Sequence, residues 1–186
     1  MDLPRQIREV YAKATCIHNK DAVEVALDNI AAEISDRLAE KNPIFLCVVI
    51  GGIVPMGNLL PRLDFPLEVD YVHATRYDGE ITGGELKWRV MPKTALQGRV
   101  VVIVEDILDS GLTLSSIYDY CRQQGAKEVY SVVLVDKVDA RKPGGVEKAD
   151  FTGLTVEDRY VFGYGMDYKG YLRNAPGVFV VAPEHE

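Results

Sequence analysis

Cysteine is scarce in this chain: Cys16, Cys47 and Cys121 are odd in number, far apart and without a CxxC pair. That excludes a disulfide framework and a zinc knuckle, and it fits a reducing compartment, the cytoplasm. Histidine is equally sparse, and His18, His73 and His185 are too scattered to suggest a metal site. Basic residues are outnumbered, 21 against 28 acids, for a formal net charge of -7 and a sequence pI near 5.0. Gripping nucleic acid rests on Lys and Arg that neutralise phosphates, so no nucleic-acid partner is expected. No clean bilayer span is present either. The longest apolar run, IFLCVVIGGIVPMGNLL, is broken by Gly51, Gly52, Pro55 and Gly57, and it falls short of the about 20 residues a span needs. The start, MDLPRQIREV, lacks the apolar core of a signal peptide and is expected to stay on the mature protein. No repeat, low-complexity tract or linker divides the chain. With 47% hydrophobic residues, residues 1–186 are expected to form a single domain with its own core.

What is present is a regular alternation. Residues 20–41 carry Val23, Ala26, Leu27, Ile30, Ile34 and Leu38 mostly three or four apart, which predicts an amphipathic helix capped by Asn19 and stopped at Asn42-Pro43. Phe45–Ile50 is an unbroken apolar run of strand length, as expected when both faces are covered. Leu67–Ala74, Val100–Val104 and Val129–Val135 read as further strands, and Ser115–Gln124 as a helix ended by Gly125. This order predicts an α/β fold, a doubly wound and mostly parallel sheet with helices on both faces. Ligands in such sheets sit beyond the carboxyl ends of the strands. That rule points to Gly51-Gly52, to EDILDSGLT (105–113) and to Asp136-Lys137. RYDGEITGGELKWRVMPK (76–93), rich in glycine and charge, reads as a long hairpin or a mobile flap over the site.

The stretch VVIVEDILDSGLTL (101–114) sets three carboxylates against a turn suited to an anion. Ser110, Gly111 and Thr113 sit where a strand gives way to a helix, and helix-start amides bind phosphate. Glu105 and Asp106 would repel that phosphate unless they faced another part of the same ligand, such as the two hydroxyls of a ribose or a divalent cation. A ribose with a phosphate at its five position satisfies both halves. Taken alone, the triplet is also compatible with solvated loop acids beside a helix cap. No GKS or GKT follows the glycines, and GGIVPMG (51–57) does not match GxGxxG, so a Walker loop and a nicotinamide-dinucleotide fingerprint are both excluded.

VVIVEDILDSGLTL resembles the phosphoribosyl-diphosphate motif of the type I phosphoribosyltransferases, and VEDILDSG is especially similar to that of the hypoxanthine-guanine phosphoribosyltransferases. The likeness extends to LVDK (134–137) and to DRYVFGYGMDYKGYLRN (158–174), and covers roughly residues 40–181 in consistent order. It implies the type I fold with a small hood or flap. It also implies an Mg2+-dependent purine salvage enzyme that joins hypoxanthine or guanine to phosphoribosyl diphosphate, giving IMP or GMP and diphosphate. Other readings on the same fold are a xanthine-preferring transferase and a phosphoribosyl-diphosphate-sensing, nucleic-acid-binding regulator. The acidic chain and the first forty residues, too few for a winged helix with linker, argue against the regulator.

By the match, Glu105 and Asp106 would face the ribose hydroxyls, directly or through Mg2+ and its waters. Asp109 would take the proton from purine nitrogen seven as the general base. Ser110, Gly111, Leu112 and Thr113 would wrap the five-phosphate. Lys137 would donate to the six-oxo group, Tyr160 would stack on the purine, and Val161 would offer backbone groups to its edge. Asp167 would sit beside a second magnesium and the exocyclic edge, with a structural hydrogen-bonding role as its rival. Arg173 would contact diphosphate, as would the backbone of Gly51 and Gly52. Tyr77 would close over ribose and diphosphate. The chain departs from its relatives at Ile50, where many carry lysine, and at Arg76-Tyr77, where many carry Ser-Tyr. Relatives form dimers or tetramers, so the resemblance also implies a homodimer or homotetramer.

Overall fold

In a computed structural model of the protein, residues 3–76 and 86–186 are described. Tyr77 and the tip of the 76–93 excursion lie outside the described residues. The chain runs α1 (Leu3–Lys13), β1 (Thr15–Asn19), α2 (Lys20–Leu38), β2 (Ile44–Val49), α3 (Ile53–Leu59), β3 (Glu68–Arg76) and β4 (Leu86–Val90). It continues through β5 (Val100–Leu108), α4 (Leu112–Gln123), β6 (Glu128–Lys137), β7 (Phe151–Val156), β8 (Val161–Phe162) and β9 (Gly177–Val180). Six strands form one sheet in the order β4-β3-β2-β5-β6-β7. All neighbours are parallel except β4, which runs antiparallel to β3 as the second arm of a hairpin. The mostly parallel, doubly wound sheet predicted from the sequence is therefore present.

Strand alternation sorts β5 into two cores. Val100, Val102 and Val104 pack with Leu27 and Ile34 of α2 and Met56 and Leu59 of α3. Val101 and Ile103 pack on the opposite face with Leu114, Ile117 and Cys121 of α4. Asn19 caps α2 as expected, its side chain accepting from the Ala22 amide at 3.0 Å. Asn42, with φ 46°, turns the chain after it.

Two predicted boundaries are corrected. The strand expected over Val100–Val104 continues to Leu108, because Glu105, Ile107 and Leu108 still pair with Val133, Val135 and Asp136 of β6. Backbone pairing to a neighbour outweighs the loss of apolar side chains. The predicted helix starts at Leu112, three residues before Ser115, with Gly111 (φ 75°) as its left-handed first cap. Within the 76–93 excursion, residues 86–90 are strand β4, with Trp88 tilted against Tyr120 of α4 at 5.1 Å between ring centroids.

A second sheet of three strands, in the order β1-β9-β8, forms the hood. Its small core joins Ile7 and Val10 of α1 to Phe162, Tyr168, Ala175 and Val181. The first and last segments of the chain thus build one unit. A hydrogen bond at 2.7 Å from the Tyr164 hydroxyl to Glu24 of α2 ties it to the main body.

On the α4 face, a polar knot pins the helix to the sheet. The Tyr118 hydroxyl donates to Asp150 at 2.6 Å, and the fully buried Ser131 donates its amide to the same oxygen at 2.9 Å. Burial and the Asp150 carboxylate push the Tyr118 hydroxyl pKa up. Tyr118→Phe removes one hydrogen bond to a charged group and is expected to cost about 2 kcal/mol in denaturant unfolding. Turnover should stay at the wild-type rate, since the knot lies away from the strand ends.

Candidate active site

Three loop ends converge at the carboxyl edge of β2 and β5. The centre is Asp106, whose side chain is only 13% exposed. A Cβ on Gly51 would lie 2.1 Å from the Asp106 Oδ2, so only glycine allows the β2 loop to approach this carboxylate. A Cβ on Gly165 (φ 109°) would meet the Gly51 carbonyl at 2.2 Å, which brings in the hood loop as the third side. Gly52 packs as closely against the Val104 and Val48 carbonyls. Ile50 is 52% exposed.

Burial pushes the Asp106 carboxyl up to about 6. The Arg173 guanidinium, 4.0 Å away, and the Ile107 amide at 3.0 Å both oppose that shift, while the nearby Asp167 adds to it. Arg173 also holds Asp167 at 2.6 Å and donates to the Gly165 carbonyl at 2.5 Å. Asp167 in turn accepts from the Gly170 amide at 2.6 Å. It therefore braces its own turn while lining the cavity.

The next wall is a cavity. Asp106, Ile107, Asp109, Lys137, Tyr160, Val161, Met166 and Asp167 line one cavity of about 320 Å³, within the range for small-molecule pockets. Five of the predicted residues outside the phosphate loop thus share it with Asp106. Lys137 is the last residue of β6, not a loop residue after it. Its Nζ lies 3.4 Å from Asp109 and 3.3 Å from Asp158. Tyr160 is 41% exposed and meets Tyr168 edge-on at 5.5 Å, leaving ring surface for a ligand. Glu105, partly buried on the alternate side of β5, does not line this cavity.

The turn at residues 110–113 is set by a segment outside the motifs quoted above. Gly111 and Gly145 stack backbone against backbone: added Cβ atoms would meet the Val146 carbonyl at 2.4 Å and the Ser110 carbonyl at 2.2 Å. Lys142 and Val146 donate their amides to the Ser110 and Gly111 carbonyls at 3.1 and 3.0 Å. Arg141 completes the clamp. Its guanidinium donates to the carbonyls of Leu108, Asp109, Lys137 and Glu147 at 2.7–3.1 Å, and it pairs with the Asp136 carboxylate. One side chain thereby holds the Asp109 and Lys137 backbones in fixed relation. The KPGG turn after LVDK was the signal for it. Leu112 and Thr113 open α4, and the Leu112 amide donates to the Ser110 hydroxyl at 3.5 Å.

A larger cleft of about 850 Å³ lies between β1 and β7, beside Thr15, His18, Thr155 and Arg159. It takes in Glu157 and Arg159 from the turn after β7, but nothing of the Gly51-Gly52, 105–113 or Lys137 segments. Chemistry, not size, marks the smaller cavity. Among the described residues, no group of three or more His, Cys, Asp or Glu side chains is placed to hold a metal alone. The carboxylates nevertheless fit Mg2+, which is commonly held by one or two of them together with substrate phosphates and water. Asp106 and Asp167 would supply these, with Glu105 through water.

Acidic and glycine-rich loops thus meet at the carboxyl edge of a mostly parallel sheet, where folds of this class bind their ligands. Residues 13–169 match the family model described as phosphoribosyl transferase domain, and the chain belongs to that family. It is 33% identical to the hypoxanthine-guanine-xanthine phosphoribosyltransferase of Tritrichomonas foetus, over 89% of this chain and 90% of that one. It is 34% identical to the hypoxanthine-guanine phosphoribosyltransferase of Bacillus subtilis, over 89% and 91%. A crystal structure of a hypoxanthine phosphoribosyltransferase from Staphylococcus aureus superposes with a TM-score of 0.85 at 25% identity, covering 91% of this chain and 92% of that one.

The raised Asp106 carboxyl yields a signed prediction. Its folded value, about 6, exceeds the 3.8 of an ordinary aspartate. The folded state therefore holds this proton more tightly, and stability from it, complete below about pH 4, is lost as pH rises through about 6. Asp106→Asn should raise the unfolding free energy of the ligand-free protein at pH 7 by about 3 kcal/mol at most, seen as a higher melting temperature, and give no gain near pH 3.5. Donor binding should weaken in the same variant. A thermal gain that ignores pH would contradict the burial argument.

Proposed function

We propose that this protein is a purine salvage enzyme that transfers the 5-phosphoribosyl group of phosphoribosyl diphosphate to hypoxanthine or guanine. The products are IMP or GMP and diphosphate. The observation that carries this reading is the pairing of Asp109 with Lys137 at 3.4 Å on one wall of a purine-sized cavity. The phosphate loop begins one residue beyond Asp109.

The reaction breaks the bond between the anomeric carbon and diphosphate, and passes through an oxocarbenium-like sugar. Asp106 faces the ribose hydroxyls from the cavity and favours the positive charge that builds there, whereas Glu105, which does not line the cavity, would reach them only through water. Bound Mg2+ supplies charge neutralisation of the diphosphate. Ser110, Gly111, Leu112 and Thr113 hold the five-phosphate with amides and hydroxyls. The Gly51 and Gly52 backbones and Arg173 meet the diphosphate, which requires Arg173 to share itself with Asp167. Tyr160 stacks on the base, Val161 meets its edge through the backbone, and Lys137 donates to the six-oxo group. Asp109 accepts the proton from nitrogen seven as nitrogen nine attacks, and later yields it to solvent.

Xanthine belongs on the list of bases to test, because the Tritrichomonas foetus relative carries it in its name. Three free cysteines support a reducing, cytoplasmic setting, and no described helix is long and apolar enough to cross a membrane. The exposed Ile50, Ile53, Val69 and Tyr71 support self-association as a homodimer or homotetramer. Diphosphate release, followed with hypoxanthine, guanine and xanthine in turn and with and without magnesium, tests the reading. Activity with none of them would overturn it. Asp109→Asn is expected to lower turnover by about 10² to 10⁴ with little change in donor affinity. Wild-type turnover in that variant would remove Asp109 from the role of base.

A further inference from the structure

Lys137 is shared between two carboxylates, and only one of them belongs to the chemistry above. Its Nζ is 3.4 Å from Asp109 and 3.3 Å from Asp158, and its side chain is only 12% exposed. Asp109 lines the base cavity, whereas Asp158 stands outside it, just after β7. The turn that carries Asp158 is held in place. Val138 donates its amide to the Val156 carbonyl at 2.9 Å, and Arg159 donates to the Glu157 carbonyl at 2.8 Å. Asp158 is thus tied by backbone to the end of the strand that carries Lys137.

We propose that Asp158 is a positioning residue, a second anchor that keeps Lys137 aimed at the six-position of the base while Asp109 is occupied with its proton. The inference rests on the function proposed above. In each cycle Asp109 must turn to the N–H of the base and accept its proton, and at that moment it carries no charge with which to hold an ammonium. A lysine with that single partner would lose both its counter-charge and its orientation as the bond to the base forms. Asp158 takes no part in the proton transfer, so its carboxylate is unchanged throughout. Held from behind, the ammonium presents a donor to an exocyclic oxygen and a mismatch to an exocyclic amino group. Asp158 thereby contributes to the choice of 6-oxopurines without touching them.

Asp158 is 58% exposed, so its removal should leave the melting temperature unchanged, since exposed ion pairs contribute little to stability. In Asp158→Asn and Asp158→Ala, the KM for hypoxanthine and guanine should rise about tenfold, while the KM for phosphoribosyl diphosphate stays at the wild-type value. Asp158→Glu should recover part of the loss. In a Lys137→Met background, adding Asp158→Asn should cause no further loss, because the anchor acts only through the lysine. An unchanged KM for the base, an equal rise in both KM values, or an additive loss in the double variant would overturn the proposal. Absence of turnover in the wild-type protein with every 6-oxopurine would instead overturn the functional reading, and this inference with it.

Discussion

A carboxylate taken almost entirely out of water stays charged at neutral pH only if its surroundings are arranged around it. Asp106 is held in that condition by a missing Cβ at Gly51, the Ile107 amide and the guanidinium of Arg173. Each comes from a different part of the chain, and the positions of the three loops follow from this packing. The Gly51 loop cannot withdraw without exposing the Val48 and Val104 carbonyls that Gly52 covers, and the hood loop reaches Gly51 only because Gly165 has no side chain. The ligand-free protein carries a destabilising charge where a sugar hydroxyl or a cation would later find its partner. Functional sites commonly hold such strain, supported by the fold around them.

The same logic extends along the sheet edge to the base cavity. Arg141 fastens the backbones of Leu108, Asp109 and Lys137 in one fork, so the acid and the lysine sit on a rigid frame. Bidentate and tridentate use of a guanidinium in this way is open to arginine and closed to lysine. The hood contributes aromatic surface through Tyr160 and a charged arm through Asp167 and Arg173. Its stability comes from far away in sequence, where Ile7 and Val10 of α1 fill its small core.

The sheet, its order of elements and the centre of the site were legible because their signals are local. Unbroken apolar runs marked β2, β5 and β6, three-and-four spacing marked α2, and the acid-rich turn after β5 marked itself. The resemblance to a family then placed Asp109, Lys137, Tyr160 and Asp167, which the fold gathers in one cavity. What escaped was set by contacts between distant segments. β5 runs on through Glu105 and Asp106 because β6 pairs with it there, a gain that no side-chain pattern announces. β1, β8 and β9 are short and without strong alternation, and they exist because they pair with one another. Neither Arg141 nor Asp158 carries a role that the sequence alone assigns. Their partners are main-chain carbonyls and a lysine brought near only by folding.

The account comes down to how one donor lies across the carboxyl edge of β5. The most direct measurement is a crystal structure with phosphoribosyl diphosphate, magnesium and an unreactive purine analogue bound together. The five-phosphate is predicted on the amides of residues 110–113, the diol against Glu105 and Asp106, and the purine ring between Tyr160 and the Asp109–Lys137 wall. A donor bound elsewhere, with this edge empty, would contradict the account at its root.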